Sequence, residues 1–231
     1  IEIGGRPIIW HLMKSLSFHG VNDFYICCGY KGYILKEYFA NYFLHTSDVT
    51  FDLRNNEMRV HHHNSEPWQV TLIDTGENTM TGGRLKRLGS FLKDEEYFIF
   101  TYGDGLSDID VDALIEFHKS HGKLATVTAV VQPPRYGAIE LNNSDVLCFS
   151  EKFSKKEAFI NGGFFVLSPK VLELIDGDAS HWEKEPMSRL VEKSELKAYK
   201  HDGFWQSMDT LREKTLLETL WRSGKVPWKK W

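Results

Sequence analysis

The 231-residue chain is 42% apolar with a net charge of −4, which fits one folded domain and gives no reason to expect a nucleic-acid partner. No apolar run is long enough to cross a bilayer, so no membrane partner is expected. Three cysteines are too few for a disulfide framework, and we expect reduced thiols, as in the cytoplasm.

The first half of the chain alternates helical spacing with short β-rich runs. Apolar residues recur at helical spacing over residues 7–19, and an apolar, aromatic run over 24–28 predicts a buried strand. Similar patterns predict a helix over 33–43, a hairpin of 49–53 and 58–61 around Asn55-Asn56, and strands over 70–73 and 98–102.

The second half continues this alternation. It predicts a short helix over 112–118, a strand over 124–131, a hairpin of 138–141 and 146–149 around Asn142-Asn143, and a strand over 164–167. From Ser168 onward mostly helix is expected, apart from a short strand near 196–199. The C-terminal Trp221, Trp228 and Trp231 are too aromatic for a disordered tail, so we expect them to pack on the domain or on a neighbouring subunit.

Strands that alternate with helices predict an α/β fold. We expect a mixed, mostly parallel central sheet flanked by helices, with a small β-hairpin insertion. No repeat, low-complexity tract or proline-rich linker marks an internal boundary, so a single domain over residues 1–231 is predicted.

Gly103-Asp104-Gly105 follows a predicted strand and precedes a predicted helix. In open α/β sheets, ligands gather at the carboxyl ends of strands, so Asp104 lies where a site is expected. The glycines let a ligand approach the backbone, and the carboxylate can bind Mg²⁺. A strand-to-helix turn with an Asx cap explains the same residues equally well from the local sequence.

Three other acids stand at predicted helix starts. Asp108 and Asp110 form a D-x-D pattern like the metal motif of glycosyltransferases, but capping is favoured because acids stabilise helix N-termini. N-capping also explains Asp209 from its local sequence. Asp104 is therefore the better-placed candidate ligand.

Gly82-Gly83 precedes a predicted helix that carries Arg84, Lys86 and Arg87. Free N–H groups at a helix start, followed by fixed cations, can form an anion site. A turn followed by a solvated helix face has the same pattern, so the local sequence leaves both interpretations open.

Three shorter patterns carry less information. Lys152, after Glu151 at the end of the second hairpin, could neutralise phosphate charge. Asn161-Gly-Gly163 interrupts a strand and predicts a bulge or a close approach of a ligand to the backbone. In His61-His-His63 only the first and third side chains share a strand face, and without a third ligand no metal site is expected.

The order of these motifs carries more information than any one of them. Gly-Gly before Pro-Ile, G-D-G after a strand, E-K, N-G-G-F-F and W-x-x-M-D-T, in that order, resemble the sugar-1-phosphate nucleotidyltransferases. Within that family the chain is most similar to the cytidylyltransferases that act on glucose 1-phosphate. The longer blocks that carry this similarity are residues 27–32, 36–43, 74–87, 118–129, 182–186 and 201–205.

The resemblance implies a Rossmann-like nucleotide-diphospho-sugar transferase fold. It also implies that CTP and glucose 1-phosphate react by in-line attack on the α-phosphorus, with Mg²⁺ bridging the phosphates, to give CDP-glucose and pyrophosphate. Family members form homo-oligomers and supply CDP-linked sugars for bacterial surface polysaccharides such as O antigens. Here the aromatic C-terminus and the hairpin at 46–63 are candidate subunit contacts.

Site residues carry over by matched position. Asp104 and Asp209 are implied to hold the metal, Lys152 the sugar phosphate, and Arg84 the nucleotide phosphates. The resemblance places Gly83 against the base, where its missing side chain leaves space. The remaining implied substrate contacts are Gly82, Tyr102, Gly103, Gly137, Glu151, Asn161 and Gly162.

The family begins with a strand and a G-G-x-G-T-R loop, followed by P-K-P, whereas this chain starts at Ile1-Glu-Ile-Gly-Gly5. We therefore expect a nucleotidyltransferase domain that lacks its first strand and glycine-rich loop. Because that loop wraps the triphosphate, the chain as written is expected to be weakly active or inactive, and less stable.

Three alternative functions stay open. One is uridylyl or thymidylyl transfer to a sugar 1-phosphate, and another is a non-catalytic sugar-nucleotide-binding protein. The third is a glycosyltransferase that uses Asp108 and Asp110, for which Asp104→Ala would be tolerated and Asp110→Ala would not. No G-x-G-x-x-G turn follows any strand, so an NAD-dependent sugar enzyme is not expected.

Overall fold

A computed structural model describes residues 1–61, 65–131, 138–142, 145–150 and 159–231, with the backbone alone for 138–142 and 145–150. The strands are β1 (Glu2–Ile3), β2 (Arg6–Pro7), β3 (Asp23–Cys28), β4 (Val49–Asp52), β5 (Glu57–Val60), β6 (Gln69–Asp74), β7 (Phe98–Thr101), β8 (Gly105–Ser107), β9 (Ala125–Val131), β10 (Ala138–Asn142), β11 (Asp145–Ser150), β12 (Phe159–Leu167), β13 (Leu196–His201) and β14 (Trp205–Ser207). The helices are α1 (Ile8–Phe18), α2 (Gly32–Ala40), α3 (Tyr42–Thr46), α4 (Thr81–Arg87), α5 (Gly89–Leu92), α6 (Val111–His121), α7 (Glu185–Glu192) and α8 (Leu211–Arg222), with a 3-10 helix over Pro169–Leu174.

A four-stranded mixed sheet forms the centre of one compact unit, which comprises Ile1–Ser15, Tyr97–Ser168 and Glu195–Trp231. Its strand order is β13-β9-β12-β7. β13 is parallel to β9, whereas β12 is antiparallel to both of its neighbours. The mixed sheet is confirmed, but its pairings are not mostly parallel. The physical reason is that β12 runs antiparallel to both of its neighbours, and antiparallel neighbours do not need the helical crossover that a parallel pair requires.

The middle strands of this sheet, β9 and β12, are buried because they are apolar on both faces. β9 is buried along most of its length, and Phe164, Phe165, Val166 and Leu167 of β12 are each at most 3% exposed. A strand that is covered on both sides reads as a continuous apolar run, which is why the runs at 124–131 and 164–167 were sufficient to predict it. Helix α6 packs on β9, β12 and β13.

The second compact unit comprises Leu16–Glu96 and Pro169–Ser194. It contains the parallel pair β3–β6 and the predicted hairpin β4–β5, in which Asn56 takes the left-handed conformation with φ 53°. The predicted hairpins, 49–53 with 58–61 and 138–141 with 146–149, are confirmed as β4–β5 and β10–β11. The organisation of residues 1–231 as a single domain stays a prediction.

Four short strands of the described chain were missed by the sequence analysis: β1, β2, β8 and β14. The segment after Asp104 is strand β8 and not a helix, and it pairs with β14 in a two-stranded ribbon. The stretch after Ser168, predicted as mostly helix, contains β14 and extended loops as well as α7 and α8. In the described part of the chain, no helix combines the length and apolar character that a membrane span requires.

Candidate active site

A cavity of about 290 Å³ opens in the first unit, where β7 and β14 end and β8 begins. Its volume is near the lower limit for small-molecule sites. Three stretches of chain that are distant in sequence form its walls. The lining residues are Thr101, Tyr102, Asp104, Gly105, Ile160, Asn161, Gly162, Gly163, Trp205, Ser207 and Asp209. Five of the predicted site residues are thereby brought together: Tyr102, Asp104, Asn161, Gly162 and Asp209.

The β8–β14 ribbon explains why Asp104 and Asp209 meet. The two strands are antiparallel, and Gly105 pairs with Ser207 at one end. Asp104 stands just before β8, and Asp209 stands just after β14, so both extend from the same end of the ribbon. The N–H of Met208 donates to the carbonyl oxygen of Asp104 at 2.9 Å, which continues the pairing up to the two acids.

The interpretation of Asp209 as a helix cap is wrong. Thr210 is the N-cap of α8, and its side chain accepts from the N–H of Glu213 in a capping box. The Glu213 carboxylate accepts in return from the N–H groups of Asp209 and Thr210, each at 2.8 Å. The Asp209 carboxylate therefore does not cap the start of α8, and Asp209 lines the cavity instead.

The Asp104 carboxyl shares the cavity with a second acid, Asp209, and its pKa is shifted there. Removal of water by the surrounding protein, and the charge of Asp209, raise the pKa of the Asp104 carboxyl above its usual range. Carboxylates that repel each other at one site are typical ligands for a hard divalent cation, which relieves the repulsion. The oxygen donors of Asp104 and Asp209 therefore fit a divalent metal ion.

Asp108 and Asp110 are engaged elsewhere. Asp110 caps α6, because its side chain accepts from the N–H of Ala113 at 3.0 Å, so the capping prediction is confirmed. The Oδ1 atom of Asp108 lies 3.0 Å from Nε2 of His201. Neither side chain lines the cavity that contains Asp104.

The glycine pair in β12 forms the bulge that the sequence predicted. The register between β12 and β9 shifts between Asn161 and Phe165. Gly163 has φ +79°, a conformation that side chains disfavour, and a Cβ on it would lie 2.8 Å from the ring of Tyr102. The Asn161 side chain accepts from the N–H of Gly163 at 2.8 Å and donates to the Tyr102 hydroxyl at 3.4 Å, which holds both polar groups at the cavity wall.

Trp205 is a cavity residue that the sequence analysis did not assign. It belongs to β14, and its indole Nε1 donates to the carbonyl oxygen of Gly162 at 2.7 Å, which joins two walls of the cavity. The only signal in the sequence was its position four residues before Asp209 in the W-x-x-M-D-T motif. Among the other predicted contacts, Gly103 does not line the cavity. Gly137, Glu151 and Lys152 lie outside the described residues.

Arg84 belongs to the second unit and binds the ends of β3 and β6. Its guanidinium donates to the carbonyl oxygens of Cys28, Gly76 and Glu77 and to the hydroxyl of Thr75 at distances between 2.6 and 3.3 Å. Carbonyl and hydroxyl oxygens satisfy donors without neutralising their charge. Arg84 is thus a fixed cation at the carboxyl end of this parallel pair, and its role in binding nucleotide phosphates stays a prediction.

The start of α4 is closed by the chain itself. The N–H groups of Met80 and Gly83 donate to the carbonyl oxygens of Asp178 and Ser180. A Cβ on Gly83 would lie 2.5 Å from backbone atoms of Asp178, and one on Gly82 would lie 2.8 Å from the Ser180 oxygen. The space beside Gly83 that was expected to receive a base is therefore occupied by residues of this chain. The base contact at Gly83 and the substrate contact at Gly82 stay predictions.

The other two cations of α4, Lys86 and Arg87, bind residues just before Ser180 in the same segment. Lys86 donates to the carbonyl oxygens of Ile175 and Asp176, and Arg87 forms a bidentate pair with the Asp178 carboxylate. An open anion site at this helix start, with free N–H groups and three free cations, is therefore not what the structure shows.

Two minor predictions concern histidine and cysteine. The Nε2 atom of His61 lies 2.8 Å from the Thr50 hydroxyl across the hairpin, and the following two histidines lie outside the described residues. Cys27 and Cys28 are free thiols, as expected. Burial raises the pKa of Cys27 to about 11, so this thiol is a poor nucleophile.

Comparison with known proteins agrees with this geometry. Residues 1–211 match the family model for nucleotidyl transferases. The chain is 59% identical over all 231 residues to glucose-1-phosphate cytidylyltransferase of Salmonella typhimurium, of which it covers 90%. It is 39% identical over 230 residues to a probable glucose-1-phosphate cytidylyltransferase of Bacillus subtilis, of which it covers 89%.

The fold is also similar to that of solved structures. The crystal structure of HddC from Yersinia pseudotuberculosis superimposes with a TM-score of 0.67 at 21% identity, over 96% of this chain and 88% of that one. This likeness supports the nucleotidyltransferase fold. The chain therefore belongs to the nucleotidyl transferase family and, within it, to the glucose-1-phosphate cytidylyltransferases.

Proposed function

We propose that this chain transfers the cytidylyl group of CTP to α-D-glucose 1-phosphate, giving CDP-glucose and pyrophosphate. The observation that carries the chemistry is the meeting of Asp104 and Asp209 in one cavity, where neither carboxylate caps a helix or forms an ion pair with another described residue. The identity of the substrates rests on the relatives at 59% and 39% identity, both of which are named for this reaction. These names do not favour uridylyl or thymidylyl transfer.

Asp104 and Asp209 would hold Mg²⁺, since both offer carboxylate oxygens and the pKa of Asp104 is raised partly by the charge of Asp209. When bound, the ion neutralises phosphate charge and orients the phosphates for in-line displacement. The chain supplies the fixed position of both acids, through the β8–β14 ribbon and the capping box of α8. Because these groups are held before substrate arrives, little reorganisation is needed during the reaction.

The polar wall formed by Asn161 and Tyr102 would orient the sugar, with Trp205 as an apolar surface beside it. Lys152 would neutralise the sugar phosphate, Arg84 would meet the nucleotide phosphates, and Glu151 and Gly137 would contact the sugar. These four assignments rest on the family resemblance. They complete a reaction that needs positioning and charge neutralisation but no covalent intermediate.

The experiment is pyrophosphate release from glucose 1-phosphate and Mg²⁺ with each of CTP, UTP and dTTP, on the chain as written and on the same chain joined to the N-terminal segment of the Salmonella relative, which is also the positive control. In the joined chain we expect release with CTP, loss of at least about 100-fold in kcat for Asp104→Asn and Asp209→Asn, and near-normal rates for Asp110→Asn. Release with UTP or dTTP but not with CTP would overturn the proposed base preference. Loss of activity in Asp110→Asn with normal Asp104→Asn would instead favour a glycosyltransferase.

A non-catalytic sugar-nucleotide-binding protein is the remaining alternative. It predicts that CDP-glucose binds, measured by calorimetry, while no triphosphate gives pyrophosphate. The capping role of Asp110 and the shared cavity of Asp104 and Asp209 favour catalysis over both alternatives.

We also propose that the protein acts in the cytoplasm in the supply of CDP-linked sugars for surface polysaccharides, and that it forms a homo-oligomer. Free Cys27 and Cys28 fit a reducing compartment. The β4–β5 hairpin exposes Phe51, Leu53 and Met58 by 57%, 90% and 48%, which makes it a candidate subunit contact. Light scattering on the chain and on Leu53→Asp tests this, since a monomer in the unsubstituted chain contradicts it.

A further inference from the structure

His201 lies at the end of the β8–β14 ribbon that is opposite to Asp104 and Asp209. At the acid end Gly105 pairs with Ser207, and at the other end Ser107 pairs with Trp205. The His201 side chain is 10% exposed, and its Nε2 lies 3.0 Å from Asp108 Oδ1. The same nitrogen lies 3.1 Å from the Ser107 hydroxyl and 3.2 Å from the carbonyl oxygen of Phe204. One imidazole nitrogen thus contacts both sides of the ribbon.

These contacts fix which atom carries hydrogen. The Ser107 hydroxyl donates its hydrogen to the Phe204 carbonyl oxygen at 2.9 Å and accepts from the N–H of Ile109 at 3.2 Å. The carbonyl and the Asp108 carboxylate have no hydrogen to offer, so three oxygens surround the nitrogen. Nε2 of His201 must therefore carry a hydrogen. The Ser107 hydroxyl and the Phe204 carbonyl are placed to accept it, whereas Asp108 Oδ1 lies at ion-pair distance from Nε2 without a hydrogen bond.

Gly203 shows how tightly this cluster is closed. A Cβ on Gly203 would lie 2.3 Å from Asp108 Oδ1 and 2.7 Å from Cε1 of His201. Any side chain at this position would push apart the carboxylate and the imidazole. The absence of a side chain at residue 203 is therefore a requirement of the His201–Asp108 contact.

The ribbon depends on such anchors because it is short. Each strand has three residues, and in the described part of the chain β8 and β14 pair only with each other. His201 is the last residue of β13, whose six residues pair in parallel with β9. The imidazole thus connects the far end of the ribbon to the central sheet. A three-residue strand spans only about 10 Å, so a displacement at that end reaches the acids.

We propose that His201, through its contacts with Asp108 and Ser107, is a positioning residue that sets the placement of Asp104 and Asp209. It touches no reacting atom, and its effect rests on the proposed function of those acids. Loss of the anchor should lower kcat and the affinity for a divalent ion, while affinity for the sugar phosphate changes little. A misplacement of about 1 Å can cost about 100-fold in rate.

The experiment compares His201→Ala, His201→Gln and Asp108→Ala in the full chain. Saturation kinetics of pyrophosphate release give kcat and KM, and electron paramagnetic resonance of free Mn²⁺ gives the affinity for a divalent ion without turnover. We expect His201→Ala and Asp108→Ala to lower kcat about 10- to 100-fold and to weaken Mn²⁺ binding, with KM for glucose 1-phosphate changed less than about threefold. His201→Gln keeps a donor near the Nε2 position and should restore most of kcat.

The matched control is Thr126→Val, which removes a fully buried hydroxyl elsewhere in the same unit, between His118 and His121. It should lower the melting temperature as His201→Ala does and leave kcat and Mn²⁺ affinity near normal. Equal loss of kcat in this control, or no rescue by His201→Gln, would overturn the positioning role and leave a purely stabilising one.

Failure of the proposed function gives a different pattern. The unsubstituted chain would then bind Mn²⁺ in a manner that Asp104→Asn abolishes, yet release no pyrophosphate with any triphosphate. In that case only the Mn²⁺ affinities of His201→Ala and His201→Gln test whether His201 positions Asp104 and Asp209. Equal affinities in both variants and the unsubstituted chain would contradict it.

Discussion

Asp104 and Asp209 place two negative charges at one cavity, and among the described residues neither carboxylate forms an ion pair. This arrangement disfavours the ionised form of Asp104, because loss of hydration and the charge of Asp209 raise the pKa of its carboxyl. Elsewhere in the chain, acids have the opposite environment. The carboxyls of Asp176 and Asp178 have lowered pKa values because Arg189 and Arg87 hydrogen-bond to them. A pair of acids without a cation in the fold is typical of a functional site.

We expect Asp104→Asn to stabilise the metal-free protein while it abolishes activity. The amide keeps the shape of the side chain and removes the repulsion with Asp209. Thermal unfolding in EDTA should give a melting temperature about 1 to 3 °C higher than that of the unsubstituted chain. With excess Mg²⁺ and CTP the order should reverse, because only the unsubstituted chain gains stability from the ion. A lower melting temperature in EDTA would show that the acids do not repel each other.

At the scale of elements, close contact between α4 and the segment 178–182 explains a feature that the sequence left open. Gly82 and Gly83 were read as an anion site or as a turn, but both lie inside the first turns of α4, where backbone atoms of Asp178 and Ser180 approach them. The Thr81 hydroxyl adds to this contact, because it accepts from the N–H of Trp182 at 2.9 Å. Glycine is needed at both positions because the backbone of Asp178 and Ser180 packs directly against α4.

Gly83→Ala should destabilise the protein by about 1 to 3 kcal/mol, because its Cβ would lie 2.5 Å from backbone atoms that cannot rotate away. Gly89→Ala is the matched control. It also lies in a helix, but its Cβ would meet only Leu172 Cδ1 at 3.7 Å, an ordinary contact. Because alanine favours helix, the control should be neutral or stabilising by up to about 1 kcal/mol. Urea unfolding midpoints measure both, and equal midpoints for the two variants would refute the packing argument.

The local sequence pattern predicted those strands that are themselves continuous apolar runs. β9 and Phe164–Leu167 of β12 were found because strands covered on both faces are continuous apolar runs. β8 and β14 were missed because Gly105-Leu-Ser107 and Trp205-Gln-Ser207 are too short to show alternation and become strands only by pairing with each other. That pairing also joins Asp104 to Asp209. Local patterns could therefore not predict that Asp104 and Asp209 meet. Only the order of the motifs indicated it, and the interpretation of Asp209 as a helix cap was wrong.

At the scale of the whole molecule, the C-terminal tryptophans pack on the first unit, as one of the two predicted packings required: Trp228 lies in the core, and the rings of Trp221 and Trp231 contact His11 and Trp10. Trp228 is fully buried, stacks on Phe204, and donates from Nε1 to His11 Nδ1 at 3.4 Å. Nε2 of His11 lies 2.8 Å from the carbonyl oxygen of Ile3. Because Nδ1 accepts and Nε2 faces an oxygen, His11 must be neutral, with its hydrogen on Nε2. A single neutral imidazole thus ties the first strand to the last residues of the chain.

This arrangement makes stability depend on pH in a defined direction. Burial is the largest effect and lowers the pKa of His11. The Ile3 carbonyl and Glu218 act against it, and the smaller effects of the cations Arg6 and Lys229 act in the same sense as burial. A lowered pKa in the folded state means that full stability is present above the unfolded value of about 6.5 and is lost as pH falls through the folded value. The melting temperature should therefore fall between pH 7.5 and 5, before the acids paired with arginine titrate. His121, whose pKa is also lowered by burial, adds to the same slope.

His11→Gln tests the assignment, since glutamine keeps a donor toward Ile3 but does not titrate. This variant should be less stable at pH 7.5, because the acceptor for Trp228 is lost, and its melting temperature should fall less steeply toward pH 5. Tryptophan fluorescence should report the transition, because protonation of His11 Nδ1 removes the partner of the buried Trp228 indole. His61→Gln is the control, since the His61 imidazole lies in the exposed hairpin beside the Thr50 hydroxyl, in a different compact unit from the C-terminal tryptophans, and its replacement should leave the slope unchanged. Parallel pH profiles for His11→Gln and the unsubstituted chain would mean that His11 does not govern the packing of the C-terminus.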